Sequence, residues 1–309
     1  MSTMQAICVH AYGDANQLRL EEISQPEPRE GEVLVRVHAT GVNALDWKIR
    51  SGFMKSFMPS TFPYVPGIEL AGVVERIGPG VTTFQSGQEV FGRNAGGSYA
   101  EYSIVPVQTL ALKPTSLSFD EAATVPIGAT TAWQGLFEQG HVQPGQRVLI
   151  LGGSGGVGTF AVQFAHREGA YVIATTSTSN VAFVQALGAD MVIDYTQKHV
   201  EDETQDVDLV FDTVGGEATA SALATLKRGG RLIAIAEPPD AEQAQALGVS
   251  AEFFSMQLSA DLLERFARSL DAGELRPAPS TIFQLSEADK AHELSQSGHG
   301  RGRIVLHVA

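Results

Sequence analysis

The chain has 309 residues, room for two domains of about 150 each, and 43% of them are hydrophobic, so a well-buried core is expected and global disorder is not. Its 21 Lys and Arg stand against 35 Asp and Glu, a formal charge of −14 that argues against nucleic acid or an anionic membrane as partner. Cys8 is the only cysteine, which excludes an intramolecular disulfide and a zinc cluster built of cysteines. Met-Ser-Thr-Met-Gln-Ala-Ile carries no basic segment ahead of a long apolar one, and no stretch approaches the ~20 apolar residues of a membrane span. A cytoplasmic protein is expected.

The first 110 or so residues read as short strands separated by turns. Val33, Val35 and Val37 alternate with Leu34, Arg36 and His38, and Val73 to Ile77 ends at Gly78-Pro79-Gly80. Glu89 to Phe91 and Tyr99 to Tyr102 follow as further strands bounded by glycines. The character changes at Ser118-Phe119-Asp120-Glu121, where Ser followed three residues later by Glu forms a capping box for an Ala-rich helix. Pro126 breaks that helix, and a second runs to about Glu138. From Arg147 the rhythm becomes strand, helix, strand. Arg147–Leu151, Tyr171–Thr175, Met191–Ile193, Val207–Phe211, Arg231–Ala236 and Ala251–Phe254 read as strands, with helices at Thr159–Glu168, Val181–Leu187 and Ala218–Leu226 among them. Parallel strands joined by crossover helices make a doubly wound sheet with its ligand at the strand C-termini. A helix (Asp261–Ala272), a strand (Thr281–Phe283), another helix and a strand (Arg303–Val308) close the chain in a segment too short for a domain, so the α/β unit is read as an insertion within a mostly β one.

The first α/β turn carries Gly153-Ser154-Gly155-Gly156-Val157-Gly158, directly after an apolar strand and opening a helix. The first Gly allows a tight turn, the second lets the backbone approach a pyrophosphate, and the third lets the helix pack close to the strand. The helix start turns N–H groups and the positive end of the dipole toward the phosphates. An NAD site usually places an acid ~20 residues beyond the glycines to accept from the ribose 2′-OH. Here the second strand ends in Thr176, Ser177, Ser179 and Asn180 with no carboxylate. Uncharged hydroxyls suit a 2′-phosphate, so NADPH is expected, with NADH second and S-adenosylmethionine a more distant alternative. Val214 follows the fourth strand of the unit, where the cofactor crosses the sheet.

Several segments, in this order, carry a resemblance to a known family: Gly41-Val42-Asn43-Ala44-Leu45-Asp46-Trp47-Lys48-Ile49-Arg50-Ser51-Gly52, Pro66-Gly67-Ile68-Glu69-Leu70-Ala71-Gly72, Gly97-Ser98-Tyr99-Ala100-Glu101-Tyr102, Thr131-Ala132-Trp133 and Leu187-Gly188-Ala189-Asp190. Together they resemble the medium-chain dehydrogenase/reductase superfamily, and within it the zinc-independent quinone oxidoreductase (zeta-crystallin-like) group. The resemblance implies an α/β Rossmann domain over residues 124–257 inserted in a GroES-like catalytic domain made of 1–123 and 258–309. It also implies a homodimer, with the strand near Ala251–Phe254 as a candidate contact. Zinc-using relatives carry Cys where Asn43 stands and His where Ile68 stands, and neither residue supplies a thiolate or imidazole, so no zinc is expected. Thr131 resembles a threonine near the nicotinamide, and Tyr195 a residue packing beside the 2′-phosphate. The basic residue that close relatives carry near Ser179 or Asn180 is missing here. No tyrosine is followed four residues later by lysine, so the short-chain dehydrogenase signature is absent.

The implied chemistry is metal-free hydride transfer to a quinone or an α,β-unsaturated carbonyl, a small hydrophobic substrate whose oxygen is polarised by hydrogen-bond donors. By the resemblance, Asn43 occupies the vacated metal-ligand position and is the first donor candidate, against a plain turn residue. Lys48, in an Asp-x-Lys context shared by some enone reductases, is the second, against a solvated surface lysine. Asp46 is expected to orient Lys48 or pair with Arg50. Tyr64 between prolines, with Phe53 and Phe57 in an apolar loop, reads as a lining for a flat substrate or as a satellite core. The competing reading from another class is a dinucleotide-binding structural or redox-sensing protein with little turnover.

Overall fold

The computed structural model describes residues 2–298 and 300–309. Its contacts divide the chain into a unit of Met1–Ile127 with Leu258–Ala309 and a unit of Gly128–Gln257.

In the first unit, β1 (Thr3–Cys8) pairs antiparallel with β2 (Arg19–Ser24). There follow β3 (Glu32–Val42), α1 (Ala44–Arg50), β4 (Leu70–Ile77), β5 (Glu89–Gly92), β6 (Tyr102–Pro106), β7 (Leu110–Leu112) and the short α2 (Phe119–Ala122). β3 is the hub, pairing antiparallel with β4 and with β6. Val33, Val35 and Val37 pack with Leu70, Val74, Val90, Val105 and Leu110 in one core, as their alternation requires. The strand expected at Tyr99–Tyr102 begins only at Tyr102. Tyr99 and Ala100 precede it in a crossing where the Ile7 amide bonds the Tyr99 carbonyl at 2.8 Å. The capping box is present: Glu121 N donates to Ser118 Oγ (3.2 Å) and Ser118 N to Glu121 Oε2 (2.9 Å). The helix it starts is a single turn, and Pro126 begins the next, α3 (Pro126–Trp133), where a missing N–H costs nothing.

The second unit runs through β8 (Arg147–Leu151), α4 (Gly158–Arg167), β9 (Tyr171–Thr176), α5 (Val181–Ala186), β10 (Met191–Asp194), α6 (Val200–Glu203), β11 (Val207–Asp212), α7 (Glu217–Leu223), β12 (Leu226–Ala234), α8 (Ala241–Leu247) and β13 (Ser250–Phe253). All its pairings are parallel, in the order β10-β9-β8-β11-β12-β13. Four of the five residues of β8 are buried, because helices cover both faces of such a sheet. The order reverses direction between β8 and β11, which opens a crevice at their C-terminal ends. α8 was not expected from the sequence, although Asp240 caps it by accepting from Glu242 N and Gln243 N and Gly248 closes it at φ 70°.

The chain then returns to the first unit with α9 (Ala260–Asp271), β14 (Pro279–Gln284), α10 (Ala288–Gln296) and β15 (Arg303–His307). α9 buries Leu263, Phe266 and Leu270, one stripe at helical spacing. β15 pairs antiparallel with β3 over Ala39–Val42, so the sheet runs β14-β15-β3-β4-β5-β7. Among the described residues no helix is long and apolar enough to cross a membrane.

Candidate functional site

The glycine turn of the second unit lies at the C-terminal end of β8, beside the crevice. Gly152 turns at φ 75°, and its amide donates to Thr175 Oγ1 (3.1 Å) while Gly153 N donates to the Thr175 carbonyl (2.9 Å). A Cβ on Gly158 would collide with the Gly152 carbonyl oxygen, so this glycine sets how closely α4 packs on the turn. A Cβ on Gly155 would meet only the Gly152 carbonyl oxygen, at an ordinary 3.4 Å. The space over Gly155 is therefore open, and a side chain there would fill it. An open cradle over one glycine and a packing contact at another fit a bound pyrophosphate at the helix start.

The hydroxyl cluster is split in two. Thr176 is buried and donates to Ser154 Oγ (2.9 Å), so it braces the turn instead of facing outward with its neighbours. Ser177, Ser179 and Asn180 lie in the turn after β9, where Asn180 Nδ2 donates to Ser177 Oγ (3.2 Å). The register of β10 on β9 sets Asp194 opposite Thr176, so the neighbouring strand delivers the carboxylate that the end of β9 lacks. That carboxylate accepts from Thr178 Oγ1 (2.6 Å), Thr196 Oγ1 (2.7 Å), Thr196 N (3.0 Å) and Gln197 Nε2 (2.9 Å). The Thr178 bond, then those from Thr196, hold it below the usual carboxylate range, so it stays charged at neutral pH. Tyr195 and Val214 are exposed, and Thr131 is buried in α3. Asp212, not anticipated from the sequence, fixes the loop bearing Val214 by accepting from Val214 N (2.8 Å), Gly215 N (3.0 Å) and Thr219 Oγ1 (2.5 Å).

In the first unit the structure brings Asn43 and Asp46 together in a buried polar cluster. Asn43 precedes α1 and Asp46 is its third residue, so Asn43 N donates to Asp46 Oδ2 (2.8 Å). Asn43 Nδ2 donates to Glu69 Oε1 (2.9 Å), Ile127 N donates to Glu69 Oε2 (2.9 Å), and Arg303 Nε lies 3.4 Å from Glu69 Oε1. Burial pushes the Glu69 carboxyl up, against the pull of Arg303, Ile127 and Asn43. A Cβ at position 41 would overlap the Glu69 carboxylate, so Gly41 makes the room. Glu69, Arg303 and Tyr99 were not singled out for the site from the sequence. A glutamate between Ile68 and Leu70, immediately ahead of β4, was the available signal for the first.

Asp46 pairs with neither Lys48 nor Arg50, contrary to expectation. Its Oδ2 is taken by Asn43 N and by Tyr99 Oη, which donates at 3.0 Å. Arg50 instead turns its fully buried guanidinium to His292 Nδ1 (3.3 Å), the Gly13 carbonyl (2.7 Å) and Gln296 Oε1 (3.1 Å). Lys48 points elsewhere, its ammonium 5.9 Å from the Trp47 ring centroid and 5.8 Å from that of Phe53. Phe53 and Phe57 are 68% and 83% exposed, which removes the satellite-core alternative. A cavity of about 470 Å³ opens within this unit, lined by Asp46, Ile49, Tyr64, Val65, Ile68 and Asn94 among others. Neither Ile68 on this cavity nor Asn43 in the buried cluster gives a thiolate or imidazole. Among the described residues no group of three or more His, Cys, Asp or Glu is placed to hold a metal ion.

Residues 29–115 match the alcohol dehydrogenase GroES-like domain family and residues 187–306 a zinc-binding dehydrogenase family. The chain is 34% identical to a 2-methylene-furan-3-one reductase of Solanum lycopersicum over 99% of its own length and 79% of the relative's. It is 34% identical to a chloroplastic NADPH-dependent alkenal/one oxidoreductase of Arabidopsis thaliana, over 98% of this chain and 79% of that one. The solved quinone oxidoreductase of Coxiella burnetii superposes with a TM-score of 0.93 at 33% identity, covering 100% of both chains. With a dinucleotide-type α/β unit set between the two parts of a β unit, and similarity running along nearly its whole length, the chain belongs to the medium-chain dehydrogenase/reductase superfamily.

Proposed function

We propose that this protein reduces quinones or α,β-unsaturated carbonyls with NADPH and without a metal. The observation that carries the reading is 34% identity along 98% of the chain to an NADPH-dependent alkenal/one oxidoreductase, joined to a glycine turn whose geometry fits a pyrophosphate. NADPH supplies a hydride when bound. The turn from Gly153 to Gly158 holds its pyrophosphate through backbone N–H groups and the start of α4. Ser177, Ser179 and Asn180 offer the 2′-phosphate neutral donors, and Asp194 is already saturated by its own, which supports NADPH over NADH. Thr131, Tyr195 and Val214 flank the cofactor in this reading. In the first unit Ile49, Val65 and Ile68 give the cavity an apolar wall for a flat substrate, and Tyr64 brings a hydroxyl to it. Burial pushes that hydroxyl up to about 12, so at neutral pH it keeps its proton, and with no partner among the described residues it is free to donate to a substrate. Lys48, beside exposed Phe53, supplies a positive charge near an apolar loop that also carries exposed Phe57. The metal-free part rests on side-chain chemistry: Asn43 and Ile68 stand where a metal site would need Cys and His. β13 is an edge strand with Phe253 exposed, and this supports a homodimer in which two copies pair along it.

Mixing the protein with NADPH and either 1,4-naphthoquinone or a simple enone should consume NADPH, followed by absorbance, at a rate unchanged by prior dialysis against EDTA. Tight NADPH binding without consumption by either acceptor would instead establish a non-catalytic dinucleotide-binding protein. The turn itself is tested by two variants with different failures. Gly155→Val should leave the melting temperature within a few degrees and weaken NADPH binding tenfold or more in calorimetry. Gly158→Ala should lower the melting temperature of the cofactor-free protein, because the clash lies within the fold. Equal NADPH affinity in Gly155→Val and wild type would refute this assignment of the turn.

A further inference from the structure

Four buried side chains form a line that the functional reading leaves unused: Arg50, His292, Tyr99 and Asp46. Arg50 Nε donates to His292 Nδ1 (3.3 Å), His292 Nε2 lies 3.2 Å from Tyr99 Oη, and Tyr99 Oη donates to Asp46 Oδ2 (3.0 Å). The polarity of this line is fixed from one end. A guanidinium only donates, so His292 Nδ1 is an acceptor and the neutral ring carries its hydrogen on Nε2. Tyr99 Oη receives that hydrogen, and its own is directed to Asp46. Burial and then the Arg50 charge push His292 down to about 3, so the ring stays neutral and the direction holds over the working pH range.

The consequence falls on Asp46. Its Oδ2 accepts twice, from Tyr99 Oη and from Asn43 N, and neither donor can receive a hydrogen back. A protonated Asp46 therefore carries its hydrogen on Oδ1, the oxygen with no hydrogen bond among the described residues, and Asp46 lines the 470 Å³ cavity. We infer that Asp46 is the acid that completes the reduction, passing the Oδ1 proton to a substrate seated in this cavity, with Tyr99 and His292 as positioning residues. This rests on the reading of the protein as an NADPH-dependent reductase. Hydride addition at the β carbon moves the C=C electron pair onto the conjugated carbonyl as an enolate. The Asp46 O–H bond then breaks, a C–H bond forms at the α carbon (or an O–H bond in a hydroquinone), and the carboxylate left behind takes a proton from cavity water. Burial raises the Asp46 carboxyl to about 7, with the Glu69 charge adding to the rise and the Asn43, Tyr99 and Arg303 contacts opposing it. Tyr64 and Arg93 are the other ionisable side chains among the described residues lining this cavity, and Tyr64 stays protonated far above that range.

Since the acid must be protonated to act, turnover should fall as pH rises through about 7. Asp46→Asn keeps the shape and both Oδ2 bonds. It should lower kcat on the order of a hundredfold with an enone and abolish that basic limb, while NADPH affinity stays the same. In cofactor-free protein labelled with carboxyl-¹³C aspartate, the resonance missing from Asp46→Asn should titrate near pH 7. Tyr99→Phe removes a donor to the charged form, so both that titration and the basic limb should move to higher pH. A basic limb that survives in Asp46→Asn, or one lost instead in Lys48→Ala, overturns the role of Asp46 in an otherwise active reductase. Should Asp46→Asn not fold, a basic limb that stays at the wild-type pH in Tyr99→Phe overturns it equally. A wild type that consumes no NADPH with either acceptor sinks the functional reading, and the acid role with it.

Discussion

Glu69→Gln is expected to destabilise the protein by roughly 3–5 kcal/mol, the range for breaking a buried ion pair by removing one partner. Glu69 is fully buried, and Arg303, nearly so, faces it with Nε 3.4 Å from Oε1. Both Arg303 Nε and Nη2 lack any hydrogen-bond partner among the described residues, so the carboxylate is what balances this guanidinium. An amide cannot replace it. Glu69 accepts from Asn43 Nδ2 on the oxygen that faces Arg303 and from Ile127 N on the other, and a glutamine NH₂ must confront one of these sides. The loss should appear as a lower urea midpoint with an unchanged m-value. Removing the charge on both sides, in Glu69→Leu with Arg303→Leu, should recover part of it, because an apolar pair leaves no charge buried. A Glu69→Gln protein as stable as wild type would show that Arg303 is solvated.

The second large effect is on acid stability. His292 sits at about 3 in the folded protein, against about 6.5 for a free imidazole. Between these values the unfolded chain binds the proton and the folded one does not, so stability falls as pH drops through this window. At about 1.36 kcal/mol per pH unit, the cost reaches about 3 kcal/mol by pH 4. Asp46 works in the opposite sense. Its folded value near 7 lies above that of a free carboxyl, so the folded state holds the extra proton between about 4 and 7 and gains stability as pH falls. The two groups lie on the same line of side chains and largely offset each other. Wild type should therefore show a shallow stability profile from pH 6.5 to 4. His292→Gln should gain on wild type steadily over that interval, by about 3 kcal/mol at its acid end, in urea titrations at each pH. A constant difference between the two proteins across the interval would mean that His292 protonates freely in the fold.

The α/β unit was legible because buried parallel strands read as apolar runs and because the glycine turn sits between one such run and a helix. The capping box at Ser118 was likewise a local signal, and the structure contains it. The buried cluster was not legible. Asp46, Tyr99 and His292 come from a helix, a crossing and a second helix far apart in sequence, and nothing local marks their meeting. Arg50 misled for the same reason: at four residues from Asp46 on one helix it suggested a structural ion pair with it, whereas its guanidinium bonds His292 and Gln296 of α10. Asp194 escaped because the acid was sought along one strand, while parallel pairing supplied it from the next. Asp240 and Gly248 were local signals for α8, but no helix was expected between the strands at Arg231–Ala236 and Ala251–Phe254.

The split of the first unit also sets an order of events during synthesis. β3 leaves the ribosome roughly 260 residues before β15, the strand that covers its edge, and Glu69 long before Arg303 supplies its countercharge. The inserted α/β unit contains all its own strands and can fold while the earlier sheet waits with an open flank and an uncompensated acid inside. A nascent chain stalled before β15 thus holds one finished half and one exposed to chaperones and proteases, and the strand bearing Arg303 acts as the latch that retires this vulnerable state.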